Sequence, residues 1–172
     1  MYETLEKGIH DMNTIKIDKK NSKMVAHAAL AGLEMENTIA GYLAAGNRTY
    51  WGIETDVRVT KDKQIIAIHN HTLKKVSGVD MVVAESTLEE LQKVPLYNKK
   101  EGTFRSDLRV PTLAEYISIC KQYEKVAVLE LKGPMGSDDI ANIIGQFKEQ
   151  DYLDQVIIIS FEWDNLVEVR KI

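Results

Sequence analysis

Two stretches, Val126 to Leu131 (VAVLEL) and Val156 to Phe161 (VIIISF), are apolar at nearly every position. A strand of that kind needs cover on both faces. A parallel sheet packed between helices supplies it, and helix-like segments lie between these runs. The first run also carries Glu130, and an ionised carboxylate inside an apolar strand is costly unless a cation or hydrogen-bond donors meet it. The stretch that fixes the class as α/β therefore also marks a place where chemistry has to be explained.

The rest of the chain repeats the alternation. Lys23 to Ala28, Tyr50 to Thr60 and Gln64 to His69 read as strands, with a turn at Lys61-Asp62-Lys63. Helices are expected over Asn37 to Ala45 with Asn37 as cap, Thr87 to Val94, Leu113 to Gln122 after Pro111, Ser137 to Gln150, and from Trp163 onward. Leu73 to Glu85 is less regular, and Tyr97 to Arg109 reads as a polar surface loop. The pattern allows a doubly wound sheet or part of a (β/α) barrel. No glycine-rich phosphate fingerprint follows the first strand, which counts against a dinucleotide fold.

A length of 172 residues fits one domain, divided into a polar N-terminal segment, 1–22, and a domain over 23–172. The formal charge of -4 argues against a nucleic-acid protein, which carries a basic field. No apolar run approaches the ~20 residues of a membrane span, and the N-terminal segment lacks the apolar centre of a secretory signal. The single Cys120 allows no internal disulfide and reads as a small buried hydrophobe. These features make the cytoplasm the expected location.

The polar residues stand at particular places along the strands. His27 ends the first strand, Glu54 and Asp56 lie on the second, and His69 ends the third. Glu130 and Lys132 close the fourth and Ser160 the fifth. In parallel α/β folds such ends converge on one site. Glu54 and Asp56, two apart, share a strand face. That pair is either a solvated face or, between Ile53 and Val57, a buried pair that needs a cation. Lys132 is either an ion-pair partner of Glu130 or a ligand contact. Three carboxylates without a cysteine suit a hard divalent cation, Mg²⁺ or Ca²⁺, better than zinc. Two strand-end histidines suit acid and base work near neutral pH. His71, past the strand end, and His10 are assigned no role.

An ordered series of motifs now resembles the glycerophosphodiester phosphodiesterases, of the phospholipase-C-like TIM-barrel type. It comprises His27, Glu36-Asn37-Thr38, Gly52-Ile53-Glu54-Thr55-Asp56-Val57, Thr60-Lys61-Asp62 and Ile68-His69-Asn70-His71. It continues with Pro111-Thr112-Leu113, Leu129-Glu130-Leu131-Lys132 and Ser160-Phe161. The resemblance implies hydrolysis of glycerophosphodiesters to glycerol 3-phosphate and an alcohol, with a role in lipid and glycerol metabolism. It implies His27 and His69 as acid/base pair and Glu54, Asp56 and Glu130 as metal ligands. Lys132 would contact the phosphate, and Glu36 and Asn37 would support the site.

The chain departs from the family's pattern at Ala28 and Ala29, where His-Arg-Gly is usual, and at Asn70-His71, where Asp-Asp is common. An alanine cannot clamp a phosphate oxygen as arginine does. A (β/α)₈ barrel takes about 250 residues. The expectation is therefore a barrel truncated to about five β/α units, its C-terminal part missing from this sequence or supplied by a second copy. Two rival readings follow: a non-catalytic or weakened relative that binds a phosphorylated ligand or a partner, and a structural domain whose carboxylates pair with Lys132 and Arg58.

Overall fold

The computed structural model of the protein describes residues 20–98 and 102–172. Most of the N-terminal segment, His10 included, lies outside the described residues. The main sheet runs in the order β1 (Val25–Ala26), β2 (Gly52–Val59), β6 (Val126–Leu131), β7 (Val156–Ser160), with every neighbouring pair parallel. The third strand, β3 (Ile65–Ala67), is different. It pairs antiparallel with β2, Val57 opposite Ala67 and Val59 opposite Ile65. Of the five strands expected to be parallel, four are, and they carry four β/α units. The reason is length: the five residues from Thr60 to Gln64 can make a hairpin, whereas a parallel return needs a dozen or more. Thr60 and Asp62 close that turn at 2.6 Å, and Lys63 takes φ +62.

Between β3 and β6 lie α2 (Lys74–Ser77), a 3₁₀ turn (Val83–Glu85), α3 (Leu88–Gln92), a ribbon of β4 (Leu96–Asn98) and β5 (Thr103–Arg105), and α4 (Leu113–Gln122). The ribbon lies where a loop was expected. Helices α3 and α4 each open with a capping box, Thr87 with Glu90 and Thr112 with Glu115, which satisfies backbone donors at both starts. Helix α1 (Ile39–Gly46) is capped by Thr38, whose hydroxyl accepts from the Gly41 N–H, and not by Asn37 as the sequence suggested. Helix α5 (Ser137–Glu149) buries Ile140, Ile143, Ile144 and Phe147, one stripe at helical spacing, and α6 (Trp163–Val169) follows β7.

Strand alternation separates the sheet into two faces. Ile53, Thr55, Val57, Ala127, Leu129 and Leu131 form one, buried in the main core with α1, α4 and α5. Gly52, Glu54, Asp56, Val128 and Glu130 form the other, in register with Val25 on β1 and with Ile157 and Ile159 on β7. A second core of Ile66, Ile68, Leu73, Leu91, Leu96 and Leu108 fastens the β3–α4 segment to the hairpin. Among the described residues no helix is long and apolar enough to cross a membrane.

Candidate active site

Adjacent parallel strands β2 and β6 bring Asp56 level with Glu130, and Glu54 lies one pleat back on the same face. One oxygen from each of Glu54, Asp56 and Glu130 lies within 4.8 Å of the others, and all three residues are buried. Like charges at that spacing repel strongly, so the cluster needs compensation. Lys132 supplies part of it. Its Nζ donates to Glu130 Oε1 at 2.7 Å and lies 3.1 Å from Asp56 Oδ1. Burial works against the Lys132 charge, but the bonds to Glu130 and Asp56 outweigh it and its pKa is raised. Phe161 lies below the ammonium, 5.7 Å from ring centroid to Nζ.

Glu54 is less well served. Its Oε2 accepts the Ala28 N–H at 2.5 Å, whereas Oε1 is buried without a hydrogen-bond partner. Burial raises the Glu54 pKa, the Ala28 bond and His27 oppose, and Asp56 and Glu130 add to it. A partnerless buried carboxylate oxygen among three hard oxygen donors fits a divalent cation; these residues can hold one.

Asp56 is oriented from behind. Asn37 Nδ2 donates to its Oδ2 at 2.8 Å, and Asn37 Oδ1 accepts the Thr55 hydroxyl at 2.8 Å. Thr55 in turn meets the Tyr42 hydroxyl at 2.6 Å. Asn37 reaches this position with φ +51, a left-handed geometry that asparagine tolerates and that ends the loop before α1. Thr55 and Tyr42 were not foreseen as part of the site.

The two histidines approach β2 along one edge. His27 follows β1 directly, and the Ala29 N–H donates to the Glu54 carbonyl. His69 arrives at the same edge, further along β2, by way of β3: the Ile68 N–H donates to the Asp56 carbonyl, while β6 takes the opposite edge. His69 therefore comes to the site from an antiparallel hairpin and not from a parallel strand end. Both imidazoles are exposed, and His69 Nδ1 lies 2.9 Å from Asn70 Oδ1. The turn after His27 places Ala28 at φ +46 and Ala29 at φ +69, the region that glycine adopts freely.

Other expected residues lie elsewhere. Glu36 pairs with Lys75 on α2 at 2.7 Å, away from the carboxylates. Ser160 lies on the opposite face of the sheet, where its hydroxyl donates to the Leu131 carbonyl at 2.9 Å. Arg58 is no ion-pair partner of the cluster. Its Nε donates to the His69 carbonyl at 2.9 Å and its Nη1 to the Lys132 carbonyl at 3.4 Å.

A parallel β/α sheet with a carboxylate cluster and two histidines along one edge of its second strand defines a (β/α)-barrel protein with a polar site on its inner face. Residues 24–172 match the model of the glycerophosphoryl diester phosphodiesterase family, and the chain belongs to that family. It is 30% identical over 152 residues to a glycerophosphodiester phosphodiesterase of Caldanaerobacter subterraneus, covering 86% of this chain and 61% of that protein. It is 27% identical over 164 residues to one of Bacillus subtilis, covering 86% of this chain and 55% of that protein. A phosphodiesterase of Oleispira antarctica, solved in complex with the product sn-glycerol-3-phosphate, superposes with a TM-score of 0.77 at 26% identity. That match covers 88% of this chain and 62% of the Oleispira protein.

Proposed function

We propose that the site hydrolyses glycerophosphodiesters to glycerol 3-phosphate and an alcohol, a reaction of lipid and glycerol metabolism, in the cytoplasm. The observation that carries the reading is the buried trio Glu54, Asp56 and Glu130, with a partnerless oxygen on Glu54 and two histidine-bearing segments bonded along one edge of β2. Glu54, Asp56 and Glu130 would hold Mg²⁺ or Ca²⁺, which when bound withdraws charge from the phosphoryl oxygens. Lys132, already between two of the carboxylates, adds a positive charge where the phosphate would sit. His27 and His69 act as the acid/base pair, one taking the proton of the attacking hydroxyl and the other giving one to the departing alcohol. Asn37 holds Asp56 in orientation, and Glu36 anchors the same loop through Lys75.

Release of glycerol 3-phosphate from glycerophosphocholine, with Mg²⁺ or Ca²⁺ added, tests the reading. His69→Ala is expected to lower the rate by about 10²–10⁴. An unchanged rate in that variant removes His69 from the chemistry. A weakened relative is the second reading, favoured by Ala28 in the place of a phosphate-clamping arginine. Metal binding that is lost in Glu54→Gln, without turnover in the wild type, would select it.

The inner face of the sheet carries apolar residues that are partly open. Val25, Ile157 and Ile159 share that face with the carboxylates and are 37%, 42% and 38% exposed. A second copy of the chain, packed face to face, would cover it. Size-exclusion with light scattering is then expected to report twice the chain mass; a stable monomer with the same melting transition on dilution would overturn the pairing.

A further inference from the structure

Beside the carboxylate cluster lies a cleft of about 350 Å³, between the hairpin turn (Arg58 to Lys63), the segment Val82 to Ala84 and the loop Lys132 to Met135. Lys132 is shared: its ammonium meets Asp56 and Glu130, and the same residue lines the cleft. A phosphodiester held at the cluster has this cleft as its neighbour.

The lining is basic in a chain whose formal charge is -4. It holds Arg58, Lys61, Lys63 and Lys132 against one carboxylate, Asp139. Lys63 takes up Asp139 at 3.0 Å, and Lys132 is held by Asp56 and Glu130. Arg58 has no such partner. It is half-buried, its hydrogen bonds go to the carbonyls of His69 and Lys132, and no carboxylate among the described residues lies within ion-pair distance. A half-buried cation left with carbonyls alone is costly, and an incoming anion relieves it. Thr60 and His71 add polar groups to the lining, and Val59, Val82, Val83, Pro134 and Met135 add apolar walls that suit the carbon frame of a polyol.

We propose that this cleft receives the alcohol half of the substrate and selects an alcohol that carries a phosphate, with Arg58 and Lys61 as its contacts. The inference rests on the phosphodiesterase reading and names the substrate class for that same site. The volume admits a phosphorylated polyol and has no room for a pair of acyl chains.

A matched pair of probes tests it: glycerophosphoinositol and glycerophosphoinositol 4-phosphate, titrated by calorimetry against the chain without added metal. The phosphorylated probe is expected to bind at least about tenfold more tightly, since a guanidinium–phosphate contact is charge-assisted. Arg58→Met is expected to bring the ratio to about threefold or less, and Lys61→Ala, an exposed change that leaves the hairpin intact, to lower it by a smaller factor. Equal affinities in the wild type, or an unchanged ratio in Arg58→Met, would overturn the proposal. So would inorganic phosphate displacing the phosphorylated probe at the probe's own affinity, because the cleft would then be a site for a free anion. The two readings fail separately. Discrimination without hydrolysis when metal is added removes the enzyme and keeps the cleft, and hydrolysis without discrimination does the reverse.

Discussion

Thr55 lies between Glu54 and Asp56 but points to the other face of β2, where it is fully buried. Its hydroxyl links Tyr42 to Asn37, and Asn37 holds Asp56. The carboxylates themselves were legible in the sequence, because a charge inside an apolar strand demands a reason. Thr55 was not, because a β-branched residue in a strand needs no explanation. Asn37 was legible as a residue with a backbone task, yet its task is different: Thr38 caps the helix and Asn37 turns back toward Asp56. Thr55→Val keeps the shape and removes the hydroxyl. It is expected to cost about 1–3 kcal/mol, read from urea unfolding, because two buried partners lose a bond. It is also expected to weaken metal binding by about 10–100-fold, as loss of a supporting hydrogen bond does. A loss of stability with metal affinity unchanged would show that the chain is structural only.

Among the elements, the long periodic segments and the turn at Lys61-Asp62-Lys63 were read correctly, while the direction of β3 and the β4–β5 ribbon were not. VAVLEL and VIIIS are strands because nearly every position in them is apolar, and α5 is a helix because its isoleucines and Phe147 fall on one stripe. The direction of β3 was missed, since periodicity gives a strand's existence but not its partner. Only the five-residue gap at Thr60 to Gln64 carried that information. His69 reaches the end of β2 by a different route from the one expected: a hairpin returning along β2 passes Asp56 just as a parallel strand end would approach it. The β4–β5 ribbon lay hidden in a polar stretch because two-stranded ribbons at a surface need little apolar patterning. Close packing near the site depends on a small residue as well. A Cβ at Gly41 of α1 would stand 2.9 Å from the Ala29 Cβ, so that helix can approach the His27 turn only with glycine there.

For the whole molecule, the helix-covered core contains acids that are kept neutral. Burial pushes the Cys120 thiol from 9.0 up to about 12, with a hydrogen bond involving Tyr116 opposing. Burial likewise pushes the Tyr152 hydroxyl from 10.0 up to about 12; that hydroxyl donates to the carbonyls of Cys120 and Lys125. In the unfolded chain these groups release their protons near pH 9 and 10, while the folded chain retains them until about pH 12. Over that interval the unfolded state binds fewer protons, so stability falls as pH rises; it is fully present below about pH 9 and lost through about pH 12. The Cys120 share between pH 8 and 10.5 is on the order of 2 kcal/mol. Urea midpoints at those two pH values measure the fall. Cys120→Ala introduces its packing cost at both pH values equally, so the fall in that variant is expected to be smaller by the thiol's share. Equal falls in the two proteins would mean that the thiol is not what makes this core sensitive to alkali.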